Sequence, residues 1–414
     1  MKSTLCSDRQ TVRELAKRYM EFAASDRQAK AFARMRDNND LIPGRPPVLI
    51  DEIPWYQMDI GGELTCVCED PWLRGIEYGF RLALFYFRHF SCVDNLYEPF
   101  FRINKTVRLT DIGVSLPNYE FKRTDEYNNI ISRELTDVLE DESCLEKFRL
   151  PECRLDPEAD KATFERVSEL LGDVMPVKLC GFGPFHLESW NTIAYMRGIE
   201  PIMIDCYDRP EYLTALFEKY IAYYEKIADF LEANMEPDHD AKKMHCTPAS
   251  VSGLGDGLKG TWFRDSAQPL ANVSPSMFYE FAIEPVIKFA SRFSYTYYGC
   301  CEPLDDKFEA VKKIPNLRKI GCSPWASVQR MAESVKGDYV LAKKPNPAHV
   351  AIKTDPEIIR RETVETVEAC LKNGCPYELV LKDISTVSND PYNLIIWADT
   401  VSDVLDGYYG ERRS

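Results

Sequence analysis

The residues best suited to chemistry are thiols, imidazoles and carboxylates that follow predicted strands. The segment 297–304, YYGCCEPL, places Cys300, Cys301 and Glu302 together. Adjacent strand residues point to opposite sides, so both thiols reach one metal only if the backbone turns, which the flanking glycine and proline favour. Thiolate with imidazole or carboxylate suits Zn²⁺. We therefore predict a metal site here; the alternative is that one thiol is buried in packing.

His245 and Cys246 form a second candidate pair. The chain has only five histidines, and this one adjoins a cysteine at the end of a predicted strand. The alternative is a half-buried, hydrogen-bonded histidine, since the dipeptide has no ligand spacing of its own. Cys322 lies in a glycine–proline turn, where packing is the simpler explanation.

Charged pairs follow two further predicted strands. Asp51 and Glu52 end the first strand, and Lys382 and Asp383 end the last. Buried charges are costly unless paired or used, so these residues either serve substrate and metal or form an ion pair across the site. The full assignment is as follows: catalytic, Lys382, Asp383 and Tyr298; substrate-binding, Tyr297, Asp51, Glu52 and Lys344; metal-binding, His245, Cys246, Cys300, Cys301 and Glu302.

Alternating helices and strands must position these side chains. Six helix-then-strand units follow residue 160, with helices predicted at 158–173, 209–235, 275–292, 305–313, 326–335 and 355–373. With a strand at 47–52, this order predicts a parallel sheet closed into a TIM (β/α)₈ barrel, whose active site lies at the carboxyl ends of the strands. An open doubly wound sheet is the alternative, disfavoured because no glycine-rich phosphate loop follows a strand. The segment 262–265 is predicted as a loop that caps the mouth.

The domain prediction is one catalytic unit in three parts. Residues 1–45 form an N-terminal helical extension with one helix at 8–40, and residues 46–155 hold the first barrel strand and an inserted lobe at 95–155. Residues 156–414 complete the barrel.

Composition restricts the functional classes. With 66 acidic against 51 basic residues, the 414-residue chain carries a net charge of −15, which disfavours binding to nucleic acid or to an anionic membrane surface. No apolar run is long enough to span a membrane, and the first residues lack the apolar core of a signal peptide. The fourteen cysteines then indicate reduced thiols in a cytoplasm.

The segment from about 160 to 405 resembles the uroporphyrinogen decarboxylase-like superfamily, and within it the cobamide-dependent methyltransferases. The resemblance is carried by these segments: KLCGFGPF at 178–185, DRPEYL at 208–213, YYGCCEPL at 297–304, SPWA at 323–326, KPNPA at 344–348 and LKDISTV at 381–387. The last four look most similar to the methyltransferase component of O-demethylase systems.

The resemblance implies a TIM barrel with zinc at its mouth and a corrinoid (cobalamin) carried by a partner protein. In the methylcobamide:thiol methyltransferases zinc is held by a His-x-Cys pair and a later cysteine. Here only Cys300 or Cys301 corresponds, because the histidine is missing and the last strand ends in Lys382 and Asp383. His245, Cys246, Glu302 or Cys322 must therefore supply the other ligands.

Three functional hypotheses follow. The first is a zinc-dependent methyltransferase that moves a methyl group from a small methylated substrate, an aryl methyl ether, to the corrinoid partner. The second is a metal-independent decarboxylase of the uroporphyrinogen type. The third is a non-catalytic barrel that binds a tetrapyrrole or a corrinoid protein. A homodimer is compatible with all three.

Overall fold

The computed structural model describes residues 2–114, 120–122, 132–134, 137–240 and 243–410. Part of the predicted lobe at 95–155 lies outside these residues. Fourteen α-helical segments are described: Lys2–Ala23, Asp26–Asn39, Pro71–His89, Pro157–Leu171, Ser189–Arg197, Ile199–Asp208, Pro210–Asn234, Pro275–Phe278, Glu284–Ala290, Phe308–Val311, Val328–Val335, Ala348–Ala351, Pro356–Asn373 and Tyr392–Tyr409. A π-helical turn at Tyr279–Ile283 joins two of them. Within these ranges no helix is long and apolar enough to cross a membrane.

A seven-stranded parallel sheet is the centre of the fold. Its spatial order is Val48–Ile50, Tyr377–Leu381, Val340–Lys343, Leu317–Cys322, Tyr295–Tyr298, Trp262–Asp265 and Phe185–His186. From Phe185–His186 to Tyr377–Leu381 each strand neighbours the one before it in the sheet, and the last of these pairs with Val48–Ile50, as in a barrel. In a doubly wound sheet, by contrast, the strand order changes direction at a switch point within the sheet.

The predicted closure of the barrel is not observed. Over the described residues, the sheet remains open between Val48–Ile50 and Phe185–His186. Along the free edge of Val48–Ile50, side chains replace a neighbouring strand. The side chains of Asp94 and Asn95 form hydrogen bonds with the backbone of Val48 and Ile50. The fold is therefore an open, barrel-like α/β sheet.

Several sequence predictions are corrected outside this sheet. The single helix at 8–40 is two helices, because the Ser25 side chain accepts a bond from Gln28 N–H and begins the second. The predicted strand near 177 exists as Val177–Cys180 but pairs with Phe101–Asn104 instead of joining the main sheet. The remaining short strands are Val107–Leu109, Glu120–Lys122, Ser132–Glu134, Cys153–Leu155, Lys243–Met244 and Thr247–Pro248.

The segment 262–265 is a buried strand of the main sheet, and the prediction of a loop was wrong. Its side chains alternate between two faces. Phe263 belongs to the large core beneath the helices, together with Tyr298, Ile320 and Cys322. Trp262 packs on the opposite, inner face in a small cluster that includes Tyr297 and Ala342. On this face Arg264, Lys319 and Lys344 lie over the Tyr297 ring.

Candidate functional site

Sharp turns at the carboxyl edge of the sheet bring the candidate residues together. Glu52 and Asp383 follow the first and last strands with φ of 51° and 57°, and Gly299 follows Tyr298 with φ of 97°. Non-glycine residues adopt positive φ at a cost, so the surrounding structure must hold these turns. Glu52 and Asp383 themselves lie at the mouth, where Oε2 of Glu52 accepts the backbone N–H of Asp383, and the turn at Gly299 is followed directly by Cys300.

His245 and Cys246 reach the mouth by a different route from the one predicted. They form the turn of a short antiparallel hairpin, in which Thr247 pairs with Met244, and His245 has φ of 52°. The hairpin lies outside the main sheet. The structure places this pair beside Glu52 and Cys300, and the described residues of the inferred parallel strand, Lys243–Met244, belong to the antiparallel hairpin instead.

Cys300 is the centre of a thiol cluster. Its Sγ lies 3.1 Å from Nε2 of His245 and 3.6 Å from Sγ of Cys301. The hydrogen bond from Cys301, followed by that from His245, lowers the pKa of Cys300 far below its usual range despite burial. The same contact raises the pKa of Cys301, whose Sγ also lies 3.2 Å from Oδ2 of Asp383. Cys300 is therefore the thiolate of the pair.

The ammonium of Lys382 lies among these acidic groups. Its Nζ is 2.7 Å from Oδ2 of Asp383, 3.4 Å from Oε2 of Glu52 and 3.8 Å from Sγ of Cys300. Burial opposes the charge, but the surrounding thiols and carboxylates raise the pKa of Lys382 above its ordinary value. Lys382 is 3% exposed, so this charge is held at the inner end of the mouth.

Glu52, His245 and Cys246 form the group best arranged to hold a metal. One ligand atom of each lies within 4.8 Å of the others, and Sγ of Cys246 donates to Oε1 of Glu52 at 3.6 Å. Burial lowers the pKa of His245 to about 4, which keeps the imidazole neutral as a ligand must be. One imidazole, one thiol and one carboxylate fit zinc.

Two of the predicted site residues have other positions. Tyr298 is fully buried on the outer face, where its ring packs edge-on against Phe278, so it is removed from the catalytic candidates. Both oxygens of Glu302 accept backbone N–H bonds, one from Cys300 and one from Ala267. Glu302 therefore supports the turn that carries the cysteines instead of facing a metal.

The predicted substrate-binding residues separate into two groups. Glu52 faces the mouth as described, and Asp51 forms an ion pair with Lys243. Tyr297 and Lys344 lie deeper, on the inner face, where Nζ of Lys344 donates to the Tyr297 hydroxyl at 3.0 Å.

Sequence reasoning missed Arg264 and His186. Arg264 lies on the strand that was taken for a loop, and its Nη2 donates to the carbonyl of Gly299 at 3.2 Å. The His186 ring lies 5.9 Å from that of His245, and burial lowers the pKa of His186 to about 3. The sequence does contain a signal for Arg264, which is a charged residue within a short apolar and aromatic segment. A search for buried charges would have found it.

No protein-family model matches the chain, and no curated protein matches it. Among solved structures, a methyltransferase from Methanosarcina mazei is similar, with 14% identity and a TM-score of 0.47 over 92% of this chain and 99% of that chain. Neither the identity nor the TM-score is high enough to assign an activity to this chain.

Proposed function

We propose that this chain is a zinc-dependent methyltransferase that takes a methyl group from an aryl methyl ether and passes it to the corrinoid of a partner protein. The observation that carries the proposal is the convergence of His245, Cys246 and Glu52 at the mouth of a parallel sheet. The resemblance of the YYGCCEPL and LKDISTV segments to O-demethylase components supports methyl transfer as the reaction.

The residues of the mouth have separate roles in this reaction. Zinc held by Glu52, His245 and Cys246 would supply Lewis acidity towards an ether oxygen. Glu52 is held in position as a metal ligand because its Oε2 accepts a hydrogen bond from the backbone N–H of Asp383 at 3.0 Å. Lys382, held protonated by its acidic neighbours, is the group of this chain that can stabilise an oxygen anion as the methyl group departs. Asp383 orients that ammonium.

Metal analysis of purified variants tests the proposal. Anaerobically prepared, zinc-supplied wild type is expected to hold about one zinc per chain, as a single three-residue site would. His245→Ala and Cys246→Ala should lose most of it, since each removes a ligand. Cys322→Ala is the matched control, because Cys322 is fully buried on the outer face. Equal metal in all four proteins, or none in the wild type, would contradict the proposal.

Turnover separates the remaining alternatives. Incubated with a cobalt(I) corrinoid protein, the metal-loaded chain should release a phenol from a methoxyarene, and His245→Ala should not. Decarboxylation that survives both a chelator and Cys301→Ala would instead favour the metal-independent decarboxylase. Binding of a corrinoid protein without any turnover would favour the scaffold.

A further inference from the structure

Arg264 is a buried cation with no carboxylate in ion-pair distance among the residues that the structure describes. Its side chain has no exposed surface, and within the same residues only Nη2 has a hydrogen bond, to the carbonyl of Gly299. Its Nε and Nη1 have no partner among the described residues. A buried guanidinium normally finds a carboxylate, because an unpaired charge is among the costliest groups to bury.

The anions near Arg264 are engaged elsewhere. The carboxylate of Asp265 accepts bonds from Ser189, and that of Glu302 accepts two backbone N–H groups. The sulfur of Cys300 lies in contact with His245, Cys301 and Lys382. Nothing described on the inner face therefore uses the free donors of Arg264.

Lys344 is a second cation of the same kind. It is 1% exposed, and Nζ donates to the hydroxyl of Tyr297, with no carboxylate in ion-pair distance among the described residues. Arg264 and Lys344 both contact the Tyr297 ring, at 5.1 and 5.6 Å from its centre. By contrast, the buried Lys319 is paired with Glu378 at 2.6 Å, so the inner face does pair its structural charges.

We propose that the substrate carries a carboxylate, which accepts a hydrogen bond from a free N–H group of Arg264 and is further neutralised by Lys344. This inference rests on the proposed function, since it names the substrate class of the same site. A guanidinium N–H is a strong, charge-assisted donor to a carboxylate, and the bond from Nη2 to Gly299 fixes the group at the turn before Cys300. Because Arg264 has no exposed surface, groups at the mouth must move aside to admit the ligand.

Calorimetric titration of the full chain tests this inference, with 3-methoxybenzoate and its uncharged counterpart 3-methoxybenzamide as probes. The wild type is expected to bind the carboxylate and to discriminate against the amide. Arg264→Met should weaken carboxylate binding by roughly 10- to 100-fold, the loss expected for a charge-assisted hydrogen bond. Lys344→Met should weaken it by a smaller factor, and Arg264→Lys should retain part of it.

A second readout separates binding from a structural role. Without ligand, Arg264→Met should still fold and melt cooperatively, because among the described residues its side chain makes one hydrogen bond, to the carbonyl of Gly299. A large fall in melting temperature together with unchanged carboxylate binding would overturn the inference. If Arg264→Met fails to fold, Lys344→Met and the wild-type preference still decide.

Equal affinity of the wild type for the two probes, or binding of neither, would also overturn the inference. These titrations need neither metal nor methyl transfer, so the inference and the proposed function can fail separately. Loss of zinc in His245→Ala with carboxylate binding insensitive to Arg264 would keep the metal site and reject the carboxylate site.

Discussion

At the scale of single residues, identical side chains have different protonation states because their neighbours differ. Cys300 becomes a thiolate through the hydrogen bonds from Cys301 and His245, whereas burial raises the pKa of Cys246. A metal bound by Cys246 must therefore displace the proton of that thiol. Residue type alone, without these contacts, predicts neither state.

The carboxyl group of Asp265 should make the stability of the protein depend on pH. Burial raises its pKa from 3.8 to about 6, against the hydrogen bonds from Ser189. A raised folded-state pKa means that the stability contributed by this group is present at low pH and is lost as pH rises through about 6. Relative to wild type, Asp265→Asn should therefore be most destabilised at low pH, and the deficit should shrink by roughly 3 kcal/mol towards pH 7.

Urea unfolding at a series of pH values measures this difference. Asp208→Asn, at an exposed position, controls for the general loss of a negative charge. A difference that stays constant with pH, or grows as the pH rises, would contradict the assignment.

At the scale of elements, the turns after the strands decide where the site residues point. Gly299 has φ of 97°, and a Cβ there would lie 2.5 Å from Cδ1 of the fully buried Leu304. The following residue is Cys300, whose N–H is held by Glu302. The position of the thiolate beside His245 therefore depends on glycine at 299.

Gly299→Ala should displace this turn. We expect a destabilisation of about 1–2 kcal/mol from the left-handed backbone alone, together with altered reactivity of Cys300. Thermal unfolding and the rate of alkylation by iodoacetamide measure the two effects. Gly79→Ala is the matched control, because a Cβ there meets nothing within 4 Å and should stabilise the helix by about 0.5–1 kcal/mol. Equal behaviour of the two variants would refute the role of the turn.

At the scale of the whole molecule, a buried polar network joins the hairpin to the sheet. Lys319 and Glu378, on two different strands, are both fully buried and pair at 2.6 Å. The hydroxyl of Thr247 donates to the same carboxylate at 3.0 Å. Thr247 directly follows Cys246, so this network connects the turn that carries His245 to two strands of the main sheet.

Breaking this network from one side should be costly. Lys319→Met leaves the Glu378 carboxylate buried and unpaired, and we expect the free energy of unfolding to fall by about 3–5 kcal/mol. The double variant Lys319→Met/Glu378→Leu should recover most of that loss, because no buried charge is left without its partner. Chemical denaturation of the three proteins gives the coupling. A double variant as unstable as the single one would show that the ion pair itself is needed.

The sequence by itself determined the kinds of chemical group and their positions along the chain. Glu52, Cys300 and Lys382 were placed after strands because turn residues and apolar runs are local signals. The same signals predicted most helices of the sheet region to within a few residues. They failed at Ser25, where one capping side chain divides a continuous helical pattern.

Only the tertiary structure decided which of these groups meet. Both faces of a buried parallel strand are apolar, so the sequence could not show that Tyr297 faces inward and Tyr298 outward. Arg264 was missed because a charged residue in a four-residue strand resembles a loop until its neighbours are known. His245 meets Cys300, 55 residues away, through a hairpin outside the sheet. Such contacts depend on how distant segments pack, which no local pattern records.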